Sequence, residues 1–178
     1  MLQRLASLVF LLLPCSLCGQ AAKVKPPDIQ GHFIGESVAE LLSKEPEVQQ
    51  EVNVCERNPN TSTCGRLLAA VKGGKRAEAS TSNWMNFVLD GGKLVKLTTL
   101  VHDDFEEVNA DLVKKFGSRS SEASFPMRNA IGQNWEDHLY VWDTPSLYVR
   151  LREDNNPASQ NHHFVLVIES TAGHSREH

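Results

Sequence analysis

Hydrophobic and polar positions alternate most cleanly over residues 84–101, where Trp84-Met85-Asn86-Phe87-Val88-Leu89 runs into Asp90-Gly91-Gly92 and out through Lys93-Leu94-Val95-Lys96-Leu97. A period of two marks half-buried strands, and a glycine-rich break between two such runs marks a hairpin. The spacing predicts a three-residue loop, Asp90-Gly91-Gly92, with Gly92 left-handed beside a bulge. Leu89 then faces Lys93, Phe87 faces Val95 and Met85 faces Leu97, so Met85, Phe87, Leu89, Val95, Leu97 and Val101 share one face. A two-residue loop would set Phe87 against Lys96, and a slip of one residue exchanges buried and wet faces. A fainter copy follows at 138–142 and 147–152 around Asp143-Thr144-Pro145-Ser146. With a four-residue loop, Tyr140, Trp142, Leu147, Val149 and Leu151 fall on one face; Leu139, Val141, Tyr148, Arg150 and Arg152 fall on the other. The run His163-Phe164-Val165-Leu166-Val167-Ile168-Glu169 is apolar on both sides, as expected of a strand that is central or covered twice.

Between these runs the period changes to that of a helix. Ser37-Val38-Ala39-Glu40 has the capping-box pattern and introduces Val38, Leu41 and Leu42, with a stop near Glu45 before Pro46. Pro46 opens a second segment with Val48, Val52 and Cys55 on one stripe; Leu67, Leu68 and Val71 form a third face, ended by Gly73-Gly74. Residues 75–82 suit either an edge strand or a loop. The strongest helix is capped by Asp103 or Asp104, carries Phe105, Val108, Leu112 and Phe116 on its core side, and ends at Gly117. A long loop is expected from Ser118 through Phe125-Pro126 to Gly132. The fold class is therefore α+β, an antiparallel sheet with helices packed on one face. The two halves, 31–101 and 102–170, also match: Val38, Leu42 and Lys44 against Val108, Leu112 and Lys114, and Asn83-Trp84 against Asn134-Trp135. A tandem α-β-β repeat within a single domain, 31–170, would produce this, and chance similarity of two such segments is the competing account.

The chain opens with Arg4, an apolar run from Leu5 to Leu13 too short to span a bilayer, then Pro14 and small residues. This is the pattern of a secretory signal peptide over 1–21, cleaved after Gly19-Gln20-Ala21. Residues 22–30 then form a stiff polar lead-in and 171–178 a frayed tail. A lipoprotein anchored at Cys18 or Cys15 is the alternative, although Leu17 and Pro14 before those cysteines are poor lipobox residues. Without 1–21, two cysteines remain, Cys55 and Cys64, separated by polar and turn-forming residues; in an oxidising compartment they make one disulfide. Asn60-Thr61-Ser62 between them is a glycosylation sequon if the source is eukaryotic. The expected address is secreted or periplasmic. The full chain has 18 Lys+Arg against 22 Asp+Glu, a net charge of −4, and no basic cluster, which excludes a typical nucleic-acid binder.

Phe105-Glu106-Glu107-Val108 with Leu112, Lys115, Phe116 and Gly117, followed by a Trp-bearing strand and two apolar strands, resembles small exported bacterial proteins of unassigned function. The helix-then-hairpin units resemble, in architecture, the β-lactamase-inhibitor-like fold shared with an outer-membrane assembly lipoprotein. The resemblance implies a fold and no activity.

Catalytic patterns are absent from the sequence: no Gly-x-Ser-x-Gly, no His-Glu-x-x-His, and Gly73-Gly74-Lys75 is followed by Arg76 where a phosphate loop has a hydroxyl. His162 and His163 are neighbours that would point to opposite faces, so no metal site, catalytic residue or cofactor is expected. The favoured reading is a non-catalytic binding or assembly module. Its open sheet face, marked by Trp84, Val141, Tyr148, Arg150 and Val165, meets a protein partner or a second copy, and a membrane only if the chain is lipidated. The alternative is a small secreted hydrolase using His102 or His138 with nearby carboxylates.

Overall fold

A computed structural model describes residues 27–102, 104–155 and 163–174. The leader, Cys15, Cys18, most of the lead-in, Asp103, His162 and the end of the tail lie outside the described residues. Three helices come first: α1 (Val38–Lys44), α2 (Pro46–Arg57) and α3 (Ser62–Val71). Their ends follow from the capping residues. The Ser37 hydroxyl accepts from the Glu40 amide at 3.2 Å, Pro46 sits in the first turn of α2, and Thr61 accepts from the Cys64 amide at 3.1 Å. The Cys55–Cys64 disulfide ties the last turn of α2 to the first turn of α3 across a separation of nine residues.

Then come β1 (Ala77–Ser80), β2 (Asn86–Asp90), β3 (Lys93–Val101), α4 (Phe105–Phe116), β4 (Ser121–Arg128), β5 (Asn134–Asp143), β6 (Leu147–Asp154), β7 (His163–Ser170) and a helical turn α5 (Thr171–His174). The seven strands form one antiparallel sheet in the order β1-β2-β3-β7-β6-β5-β4. Helix α4, capped by Asp104 as the sequence allows, carries the chain from β3 to the far edge, and the meander β4–β7 returns to the centre. β7 is thus the middle strand, which accounts for its apolar residues on both sides.

One core lies between the helices and one face of the sheet. Ala79, Phe87, Leu97, Ile168, Val149 and Trp142 are successive cross-strand partners in a single row over six strands. All are buried, and they pack with Leu41 of α1, Val48 of α2, Leu67 of α3 and Leu112 of α4. The Trp142 indole N–H, which would be costly to bury alone, donates to the Gly117 carbonyl at 3.0 Å, fastening the end of α4 to β5. Val88 and Val141 point to the opposite face; both are buried, yet neither belongs to this core.

Three expectations need correction. The first hairpin turns through two residues, Gly91 and Gly92, both at positive φ, with Asp90 opposite Lys93 and Leu89 opposite Leu94. The register then shifts between Val88 and Leu89, so Val95 is the extra residue and Phe87 meets Leu97 rather than Val95. The bulge thus lies inside β3, where it turns Leu94 into the core and leaves Val95 half-buried. The second correction is β4, which occupies the expected Ser-rich loop. All eight of its residues pair with β5, although its side chains are almost entirely exposed. The Asn129 amide donates to the Gln133 carbonyl and the Gly132 amide to the Asn129 carbonyl, both at 3.1 Å, with Gly132 at φ 88°. This is the three-residue bulged loop expected of the first hairpin, found in another one. Counting alternately back from Asn129, Pro126 directs its peptide nitrogen away from β5, where a missing N–H costs the ladder nothing. Third, structure extends past both expected ends of the domain. Ile29 is buried, Gln30 accepts from the Thr99 hydroxyl at 3.2 Å, and the Thr171 amide donates to the Ser146 carbonyl at 3.1 Å.

In each half a helix precedes a meander that runs inward from an edge, β1-β2-β3 and β4-β5-β6, with β7 between them. The matched dipeptides differ in conformation. Asn134-Trp135 is extended in β5, whereas Trp84 stands in a turn at φ 61°.

A candidate binding groove on the helix-free sheet face

Among the described residues no helix covers the second face of the sheet, whose composition is read directly from the register. Thr98, Val167, Arg150, Val141 and Ser121 are successive partners in one row; Leu100, Val165, Arg152, Leu139 and Ala123 make the next. Each arginine of β6 is therefore flanked by aliphatic residues on both neighbouring strands. A groove of about 380 Å³ opens here, with Leu139, Val165 and Val167 as its floor and Phe125 and Met127 of β4 as its outer rim. Its charged lining among the described residues is Arg150 and Arg152. Phe125 is 44 % exposed, high for a phenylalanine in a strand.

The two guanidinium groups are held differently. Arg152 donates to an Asp137 carboxylate oxygen at 3.0 Å. Asp137 also accepts from the Trp135 indole at 2.9 Å and from the Asn155 amide at 3.1 Å. Burial pushes the Asp137 carboxyl up, but the Asn155 amide, Arg152 and Trp135 together outweigh it and hold the group below its ordinary value. Arg150 has no such clamp. Among the described residues its nearest carboxylate oxygen, on Glu169, is 3.9 Å away, its guanidinium lies 5.7 Å from the centre of the Tyr148 ring, and its buried Nε has no hydrogen-bond partner. Glu169, 1 % exposed, also has the Lys96 ammonium at 3.6 Å.

Of the residues expected to mark a binding face, Val141, Tyr148, Arg150 and Val165 lie together on this side of β5, β6 and β7. Trp84 does not join them. It is 68 % exposed in the turn between β1 and β2, while the groove runs to the opposite edge strand. The alternation in β5 and β6 also places Leu139 and Arg152 on this face; Phe125 and Met127 are not placed that way, because the Ser-rich composition around them predicts a loop.

The histidines fall elsewhere. His138 points to the helix side, where its Nδ1 is 3.1 Å from Glu153 Oε2, and Ser124 is its cross-strand partner on β4. The neighbouring Asp137 points to the other face. The His102 ring lies 6.4 Å from that of His163, and no carboxylate contact of His102 is present among the described residues. No group of three or more His, Cys, Asp or Glu among the described residues could hold a metal ion.

A buried polar cluster went unread in the sequence. His32, 2 % exposed, has Nδ1 2.8 Å from Glu36 Oε2 and Nε2 2.8 Å from Glu45 Oε1. An ionised carboxylate only accepts, so both bonds form together when the ring carries both protons. Glu36, fully buried, is also bonded by Lys44, and that bond raises the Lys44 pKa above its ordinary value despite some desolvation. The cluster joins the turn before α1 to the α1–α2 junction and closes on the Phe87 ring, 5.1 Å from the imidazole. With His32 this deeply enclosed it fastens the fold and offers no surface to a ligand.

No protein-family model, curated protein or solved structure matches this chain. Among the described residues no helix is long and apolar enough to cross a membrane.

Proposed function

We propose that this chain is an exported, non-catalytic binding or assembly module that engages its partner through the helix-free face of the sheet. The observation that carries this reading is the groove itself: an aliphatic floor with two arginines, on the side of the sheet that the four longer helices leave open. Export is supported by the leader pattern and agrees with the Cys55–Cys64 disulfide. A photocrosslinker at Val165, with a control at the exposed Glu56 of α2, tests the surface in the producing cell. Adducts from position 165 and none from 56 support it; equal yields, or none, end it.

A second reading, a small secreted hydrolase, is favoured by one observation. Ser124, His138 and Glu153 occupy three adjacent strands on the helix side, with the His138–Glu153 contact at 3.1 Å. This is the order of a nucleophile, a base and an orienting acid, although no hydrogen bond joins Ser124 to the ring. Hydrolysis of a chromogenic ester that disappears in both Ser124→Ala and His138→Ala would establish it, and activity surviving both changes would exclude this row.

A further inference from the structure

We propose that the groove on the helix-free face binds an aliphatic carboxylate, its hydrocarbon chain on Leu139, Val165 and Val167 and its carboxylate on the guanidinium groups of Arg150 and Arg152. The inference rests on the reading that this face is the binding surface, and it names what the groove takes. Three observations lead to it. The floor is hydrocarbon and is widened at the edge by Phe125 and Met127, so a chain laid there removes apolar surface from water on both partners. The charged lining among the described residues is Arg150 and Arg152, while Asp137 and Glu169, the carboxylates beside them on the same face, are each only 1 % exposed, so the charge presented to the groove is positive. The arginines also have donors to spare. A guanidinium carries five N–H groups in a planar fork. Arg152 gives one hydrogen bond, to Asp137, and among the described residues the carboxylate oxygen nearest Arg150 is 3.9 Å away, beyond hydrogen-bond distance. A ligand carboxylate would accept from such forks in the two-pronged geometry that arginine favours.

Size separates this occupant from a folded protein surface. A groove of about 380 Å³ lies at the lower end of the range for small-molecule sites. A stable protein interface needs about 800 Å² from each side, which would have to be found beyond the groove. Shorter aliphatic acids and acyl chains fit the description; a peptide inserting one acidic side chain among apolar ones is the rival occupant.

The experiment titrates the full mature chain with dodecanoate below its micelle concentration, and in parallel with dodecanol and dodecyltrimethylammonium, by calorimetry and by amide chemical shifts. Dodecanoate is expected to bind at least about tenfold more tightly than dodecanol, the worth of one charge-assisted pair, with shifts centred on residues 139, 150, 152, 165 and 167. Arg150→Gln should remove most of that difference while leaving the Asp137–Arg152 clamp intact. Val167→Trp, which fills the floor and keeps both charges, should abolish binding of all three probes. Equal affinity for dodecanoate and dodecanol, an unchanged preference in Arg150→Gln, or shifts confined to the helix side would overturn the proposal. If dodecanoate fails to bind while the crosslinker at Val165 still captures a protein, the surface reading stands and the carboxylate proposal falls to the peptide rival. If neither occurs, both fall.

Discussion

Asp137 is pulled two ways, by burial that favours the neutral acid and by three donors that favour the carboxylate, and the donors prevail. Because the folded pKa is depressed, the stabilisation is fully present above the ordinary carboxyl value of 3.8 and is lost as pH falls through the lower folded value. Asp137→Asn should cost about 2 kcal/mol at neutral pH, since Arg152 loses the Oδ2 acceptor and meets an amide donor in its place, while Trp135 and the Asn155 amide keep only an uncharged oxygen. It should also flatten the acid limb of stability measured by urea unfolding from pH 7 to pH 2; an unaltered limb would assign the acid sensitivity to other carboxylates. Lys44 gives the opposite sign. Its raised pKa contributes stability below its unfolded value, and that contribution is lost as alkaline pH passes the folded one. At His32 the contest is between charges. His32→Phe leaves Glu36 buried with Lys44 alone and should destabilise by about 3 kcal/mol. The double variant His32→Phe/Glu36→Met should recover part of the loss, because an apolar replacement of a buried ionic set is often neutral. A double variant no more stable than the single one would show that the cluster is needed for more than charge balance.

Among the elements, the pair α2 and α3 depends most on a covalent tie. The disulfide closes a loop of about ten residues, for which the chain-entropy estimate is about 2.7 kcal/mol. Cys55→Ala/Cys64→Ala should lower stability by about 2–3 kcal/mol, and alkylation of the native protein without reductant should modify neither cysteine. A reactive thiol in the folded protein would contradict the pairing. The hairpins show how loop chemistry and register part company. Asp90-Gly91-Gly92 fits two turn types, and the choice was made by Leu94 and Leu97, both of which reach the core only if Val95 bulges. In the β5–β6 hairpin, Trp142 pairs with Val149, two residues from the expected register, and a shift of two keeps every side chain on its face. β4 was invisible for a different reason. Its apolar residues Ala123, Phe125 and Met127 do alternate, but on an exposed edge strand that alternation is short, and the Ser and Pro residues among them resemble a loop.

For the whole molecule, the consequence of one-sided covering is an unequal tolerance of charge on adjacent residues. Val165 and Leu166 are neighbours on the central strand, but Leu166 is 3 % exposed in the core and Val165 faces the groove. Leu166→Glu should unfold the domain or cost more than about 4 kcal/mol, whereas Val165→Glu should stay within about 1 kcal/mol of the parent. Thermal melts followed by circular dichroism distinguish them. A Val165→Glu variant as damaged as Leu166→Glu would mean that the groove side is covered in the folded protein, and would remove the surface on which the proposed binding depends.

By itself the sequence determined what depends on near neighbours along the chain: the Ser37 cap of α1, the alternation that sorts β6 into two faces, a last strand either central or covered twice, the cysteine pairing, and hence the face bearing Val141, Tyr148, Arg150 and Val165. Tertiary structure alone decided what depends on distant residues meeting. It turned Val95 out so that Leu94 could enter the core, recruited an exposed Ser-rich segment as an edge strand, enclosed His32 between Glu36 and Glu45, and set Phe125 and Met127 beside Leu139 to shape a groove. Periodicity reports which side of an element avoids water, whereas the partner across a strand, or across a buried hydrogen bond, is selected by packing that no local window contains.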